Sequence, residues 1–135
     1  MNYIDIAGLL SDALRLSGCT DEQIGSFDGH STIELELVEM PAIKIGLVDD
    51  SVWFWSTLTE FSDMLMTHRS AELLRFLMQG FAFSRTEQLQ LTNTEDMLEV
   101  RVLLADSALE SAESLAQAVE DYLGALSALC EIINQ

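Results

Sequence analysis

Ile33-Glu34-Leu35-Glu36-Leu37, Ile43-Lys44-Ile45-Gly46-Leu47 and Val52-Trp53-Phe54-Trp55 are three short runs in which apolar residues recur at every second position. A period of two is the mark of a strand with one face against a core. Parity then fixes the register, because apolar residues must meet apolar residues across the ladder. A three-residue turn at Glu39-Met40-Pro41 pairs Val38 with Ala42 and hence Glu36 with Lys44. A tight turn at Asp49-Asp50 pairs Val48 with Ser51, hence Lys44 with Trp55 and Gly46 with Trp53. The face turned away from Ile33, Ile45 and Phe54 therefore carries two rows: Glu36, Lys44, Trp55 and Glu34, Gly46, Trp53. Lys44, the single lysine of the chain, lands between a carboxylate and an indole, placed for a cation-π contact. Consecutive aromatics in a strand send rings to both faces of the sheet. Either the outer face meets something other than this chain's own interior, or a helix or loop covers both indoles, as suits a residue that is usually buried to a large extent.

The flanking segments switch to a helical period. From Asn2 to Ser17, Ile4, Ala7, Leu10 and Leu14 with Ile6, Leu9 and Ala13 form a broad apolar stripe; Asn2 is placed to cap it, Asp5 lies in its first turn and Gly18 is placed to end it. From His68 to Phe81, the positions of Leu73, Leu74, Phe76, Leu77, Met78 and Phe81 cover more than half of the helix circumference. Such a helix is buried on more than one side, either by a second subunit, to which these six residues would give the interface, or within the monomer. A hairpin follows, with Leu89 and Leu91 facing Leu98, Val100 and Val102 across an Asn93-Thr94-Glu95-Asp96 turn. The last element is a long helix from about Ala108 to Ile133, striped by Leu115, Val119, Tyr122 or Leu123, Leu126, Leu129 or Cys130, and Ile133. No Lys or Arg follows Arg101, so no cation complements the carboxyl end of that helix. There is no linker, repeat or low-complexity tract, and the only proline is Pro41. The expectation is one α+β domain over residues 1–135: helix, three-stranded antiparallel sheet, helix, β-hairpin, long C-terminal helix.

Composition narrows the function. Hydrophobic residues make up 49% of the 135 against 21% charged, which suits a packed domain and not a disordered chain. Six Lys and Arg against 23 Asp and Glu give a net charge of −17. That surface repels nucleic-acid phosphates and anionic lipid and offers no basic stripe for counterion release. Its field draws basic or amphipathic partners inward. No stretch approaches the roughly 18 to 20 apolar residues of a membrane span. The beginning of the chain lacks the cationic start of a signal peptide, so the expected location is the cytosol. Cys19 and Cys130 stand apart without a C-x-x-C spacing and read as reduced packing residues.

Tempting chemistry fails on inspection. Gly29-His30-Ser31-Thr32-Ile33 has Ile33 where the second glycine of G-x-S-x-G belongs, and its strand follows the serine instead of preceding it. His30, His68 and the two cysteines form no ligand cluster, and Asp49-Asp50 is more simply a turn than half a metal site. No glycine-rich phosphate loop occurs. Neither catalysis, a cofactor nor a metal is expected.

Ser17-Gly18-Cys19, Asp28 with His30-Ser31, Met40-Pro41-Ala42-Ile43, Val52-Trp53-Phe54-Trp55 and, further on, Leu98 with Arg101-Val102 carry a resemblance. On them the chain resembles the class IB type III secretion chaperones, the InvB/SpaK-like group that serves several effectors. The resemblance implies a homodimeric bacterial cytosolic chaperone without nucleotide or metal. Its partners would be the amino-terminal segments of type III effector proteins, held extended, and components of the secretion apparatus to which they are delivered. Trp53, Trp55, Lys44, Glu34, Glu36 and Gly46 are the expected effector-binding residues. The competing expectation is a regulatory or stress adaptor of similar fold without a secretion role.

Overall fold

The computed structural model describes residues 6–20, 32–49 and 51–135. The proposed cap at Asn2, Asp5, the segment Asp28 to Ser31 with His30, and Asp50 lie outside them. Helix α1 spans Ile6–Leu16. Strands β1 (Ile33–Leu37), β2 (Met40–Val48) and β3 (Ser51–Glu60) follow, then α2 (Asp63–Met78), β4 (Gln90–Thr94), β5 (Met97–Leu103) and α3 (Ala112–Ile133), the last preceded by a 3-10 turn at Asp106–Leu109. The hairpin does not stand apart from the first three strands. β5 pairs with β3, giving one antiparallel five-stranded sheet in the order β1-β2-β3-β5-β4.

The β2–β3 register is the expected one, with Lys44 opposite Trp55, Gly46 opposite Trp53 and Val48 opposite Ser51. The β1–β2 register is not. Glu34, not Glu36, faces Lys44, because the turn is a two-residue one at Val38-Glu39 and Leu37 pairs with Met40. Glu39 takes φ 62° there. The ladder shifts between Leu35 and Leu37, where Pro41 and Ala42 of β2 lie opposite Glu36. Proline has no N–H to give to a ladder and is accommodated at such bulges. A shift of two residues preserves side-chain parity, so the faces stay as read even though the partners change. The β4–β5 turn is likewise shorter than expected, with Glu95 and Asp96 at φ 52° and 66° joining Thr94 to Met97. Positive φ at both turn residues matches the twist of a hairpin.

One face of the sheet is closed. Ile33, Leu35, Ile43, Ile45, Val52, Phe54, Val100 and Val102 are buried together with Leu10, Ala13 and Leu14 of α1 and Leu115, Val119, Tyr122, Leu126 and Leu129 of α3. In α3 the stripe runs through Tyr122 and Leu129, leaving Leu123 and Cys130 half-buried. Tyr122 meets the Phe54 ring edge-on at 5.5 Å and donates to Ser56 Oγ at 3.0 Å. Burial pushes the Tyr122 hydroxyl up, the Ser56 hydrogen bond offsets part of that, and the negative charge of Glu99 adds to it.

Helix α2 begins five residues before His68. Ser62 caps it by accepting from the Leu65 N–H at 3.0 Å, and Asp63 sits in its first turn, two start signals that the apolar stripe alone did not show. The helix ends at Met78, so Phe81 lies beyond it and is buried in the chain's own core, as is Leu73. Phe76 and Leu77 pack partly against that core. Leu74 and Met78 face outward, 59% and 68% exposed. Arg69 of α2 donates to the Gln135 carbonyl beyond α3 and reaches Glu72 at 3.4 Å. No helix among the described residues is long and apolar enough to cross a membrane.

Candidate functional site

The outer face of the sheet is where the sequence reading and the structure meet. Neighbouring pairings place Glu34, Lys44, Trp55, Arg101 and Gln90 in one row across all five strands, and Gly46, Trp53 and Leu103 in the next. Glu34 and Glu36 are exposed, while Lys44, Trp53 and Trp55 are partly so. The two indoles are neither fully exposed nor closed over as the Phe54 ring is. With Val48, Thr94, Glu99 and Arg101 they line a hollow of about 360 Å³.

The polar side chains lining the hollow are largely satisfied by one another. Glu99 is 10% exposed at its side chain and accepts from Arg101 Nη2 at 2.5 Å. Thr94 Oγ1 donates to Glu99 Oε2 at 3.4 Å and pairs with Thr92 Oγ1 at 2.9 Å. A charge taken out of water needs such a partner. Arg101 Nε is left buried without one.

Trp55 does not rest on Lys44. Its six-membered ring leans diagonally to Gly46, where a Cβ would stand 2.9 Å from Cη2 and 3.0 Å from Cζ3. The ring takes the space that the missing side chain leaves, and Lys44 has neither a ring contact nor an ion-pair partner among the described residues. The expected cation-π hold on the indole is thus replaced by packing over a glycine.

Arg101, Glu99, Thr94 and Val48 were not among the residues read as a site. The alternation Val100-Arg101-Val102 marks Arg101 as outward, but only the β3–β5 pairing, which joins segments more than thirty residues apart, brings it beside Trp55. A second concavity, also about 360 Å³, lies between α2 and the β4–β5 end of the sheet, with Leu73, Leu74, Leu77, Leu91 and Leu98 among its lining. Among the described residues no three His, Cys, Asp or Glu side chains come together as a metal site.

Comparison with known proteins follows the same lines. The sequence matches the family described as the Invasion protein B family over residues 18–95. It is 36% identical over 122 residues to the Surface presentation of antigens protein SpaK of Salmonella typhimurium, covering 90% of each chain. Among solved structures it is similar to a chain of the heterodimeric ExoU–SpcU complex from the type III secretion system of Pseudomonas aeruginosa, with a TM-score of 0.60, 15% identity and coverage of 91% and 95%. It is also similar to YbjN, a candidate transcription regulator from E. coli, with a TM-score of 0.63, 18% identity and coverage of 97% and 93%. At those identities the structural likenesses speak to the fold. The sequence matches decide the family, and they agree with the resemblance carried by Met40-Pro41-Ala42-Ile43 and Val52-Trp53-Phe54-Trp55: the chain belongs to the Invasion protein B family, the InvB/SpaK-like group.

Proposed function

We propose that the protein is a type III secretion chaperone: a cytosolic homodimer that holds the amino-terminal segment of one or more effectors extended and passes it to the secretion apparatus. The observation that carries the reading is the sheet with one closed face and one open face, the open one bearing both tryptophans of the chain. Family membership supports it, as does a charge of −17 that suits basic or amphipathic partners.

Magnitudes say how such a partner is held. Each indole offers about 150 to 250 Å², so at ~25 cal/mol/Å² its full desolvation is worth at most ~4 to 6 kcal/mol. Ordering a flexible segment costs roughly 2 to 5 kcal/mol. One tryptophan contact about breaks even, so capture needs further patches. The outer edge of β1, which pairs with no further strand among the described residues, is one, since an added strand supplies main-chain hydrogen bonds. A dimer doubles them all. Leu74 and Met78, exposed beside the apolar α2 cleft, are the residues we assign to a two-fold interface.

Co-purification from the native host, with identification of the bound protein, tests the reading. The expected result is a secreted effector held through its amino-terminal segment. Recovery of regulators only would favour the second reading, an adaptor without a secretion role, to which the fold shared with YbjN gives a specific basis.

A further inference from the structure

Gly46 has an ordinary strand backbone, without the positive φ that demands glycine. In the interior of a strand a glycine weakens the element, and it often marks close approach of another group. Here that group is known: the end of the Trp55 ring stands 2.9 Å from where a Cβ would be, too close for a real Cβ contact. A side chain at position 46 would force the end of the indole to shift away from β2.

We propose that Gly46 is the positioning residue that keeps the outer-face hollow open, and that the hollow seats one bulky apolar side chain of an extended polypeptide segment with basic flanks. The inference rests on the chaperone reading and names the chemistry of its cargo. With Trp55 laid toward β2, the space bounded by Val48, Trp53, Trp55 and Arg101 stays unfilled. Its size falls within the ~300 to 1,000 Å³ of ordinary ligand pockets. Its lining is mostly apolar and its two charges, Glu99 and Arg101, pair with each other, so the guest has no charge to neutralise there and is apolar. The rim differs. Glu34 and Glu36 are exposed on the same face, and Lys44 has no ion-pair partner among the described residues. Glu34 lies two strands from Trp55, about 10 Å, which three extended residues span at ~3.3 Å each. A lysine or arginine two to four positions from the apolar anchor therefore meets acidic side chains.

Both tryptophans of the chain line this hollow, so selectively excited tryptophan emission of the full chain reports on it alone. The probe is the peptide acetyl-Lys-Ser-Gly-Phe-Gly-Ser-Lys-amide, compared with versions carrying Ala for Phe or Glu for both Lys. The Phe/Lys peptide is expected to shift the emission saturably, and the other two to bind at least tenfold more weakly, about 1.4 kcal/mol. Gly46→Ala is expected to weaken the Phe/Lys peptide by a similar factor with an unchanged or higher melting temperature, since only the far end of a side chain must move. Val48→Ser, at the exposed mouth, gives a second variant with a smaller loss and an intact fold. Equal binding of the Glu-flanked peptide, or wild-type affinity in a folded Gly46→Ala protein, would overturn the proposal. If Gly46→Ala captures effector segments as well as wild type does, the hollow is wrong and the chaperone reading stands. If wild type captures none while the Phe/Lys peptide binds, the chaperone reading fails and the hollow stands.

Discussion

Phe54 and Trp55 are neighbours in the chain and opposites in the molecule. Phe54 is fully buried against Tyr122, while Trp55 lies partly exposed on a face that no helix among the described residues closes. The inner face is continuous with α1 and α3 and holds the fold together; the outer face ends in a hollow. On the proposed function, stability and recognition fall to alternate residues of a single strand. Substitution breaks or sharpens the contrast. Phe54→Ala should cost about 3 to 5 kcal/mol, as loss of a buried aromatic does. Trp53→Ala and Trp55→Ala should each cost about 1 kcal/mol, nearer the centre of the distribution for point changes, while weakening effector capture. Urea denaturation followed by circular dichroism measures both. A Trp55→Ala loss as large as that of Phe54→Ala, with capture unchanged in the folded fraction, would erase the distinction.

Helix α2 repeats the contrast one residue apart. Leu73 is buried and Leu74 is 59% exposed. Leu73→Ala should cost about 2 to 5 kcal/mol. Leu74→Asp combined with Met78→Asp should leave the monomer folded and separate the proposed dimer, so that light scattering falls from twice the 15.0 kDa chain mass to that value. A wild-type protein that scatters as a monomer at micromolar concentration would remove the interface.

How much of this was written in the sequence follows from the range of the interactions concerned. Period-two alternation gave the faces of β1, β2 and β3 correctly, because parity is a local property that survives a two-residue shift. The β1–β2 partners depended on where the turn closes, and there Pro41 settled into a bulge instead of the turn. The start of α2 was missed by weighing the apolar stripe above the Ser62-Asp63 cap. Trp53, Trp55 and Gly46 were legible as sharing a face. Arg101, Glu99 and Thr94 were not legible as their neighbours, since no local pattern states that β5 inserts between β3 and β4. The leaning of Trp55 onto Gly46 rather than Lys44 is a packing outcome that register alone does not decide.

Within the closed inner face a buried polar link joins α3 to β3, from Tyr122 to Ser56. Tyr122→Phe removes a hydrogen bond worth about 0.5 to 1.5 kcal/mol, less than any core truncation above. It also tests the direction of the hydroxyl's shift. The folded chain holds this proton above the range in which an unfolded tyrosine, pKa about 10, releases it. Folding then binds more protons than unfolding does, so the stabilisation is complete below pH about 10 and is lost as the pH rises toward the raised value. Stability measured on that alkaline limb should fall less steeply in Tyr122→Phe than in wild type. Equal slopes would mean that Tyr122 is reached by solvent, and that the inner face is less closed than described.

The smallest effect is expected at the cysteines. Cys19 follows the end of α1, its N–H bonded to the Leu14 carbonyl at 2.9 Å, and Cys130 lies on the flank of the α3 stripe. Neither lines the outer hollow or the α2 cleft. Burial pushes both thiols up, which keeps them protonated at neutral pH and slow as nucleophiles. Serine at both positions should therefore leave effector capture as in wild type, at a modest cost in stability from placing hydroxyls in half-buried sites. A large loss of affinity in a well-folded double variant would locate part of the binding surface on the α1–α3 side, and would make the division between a structural face and a recognition face the first thing to revise.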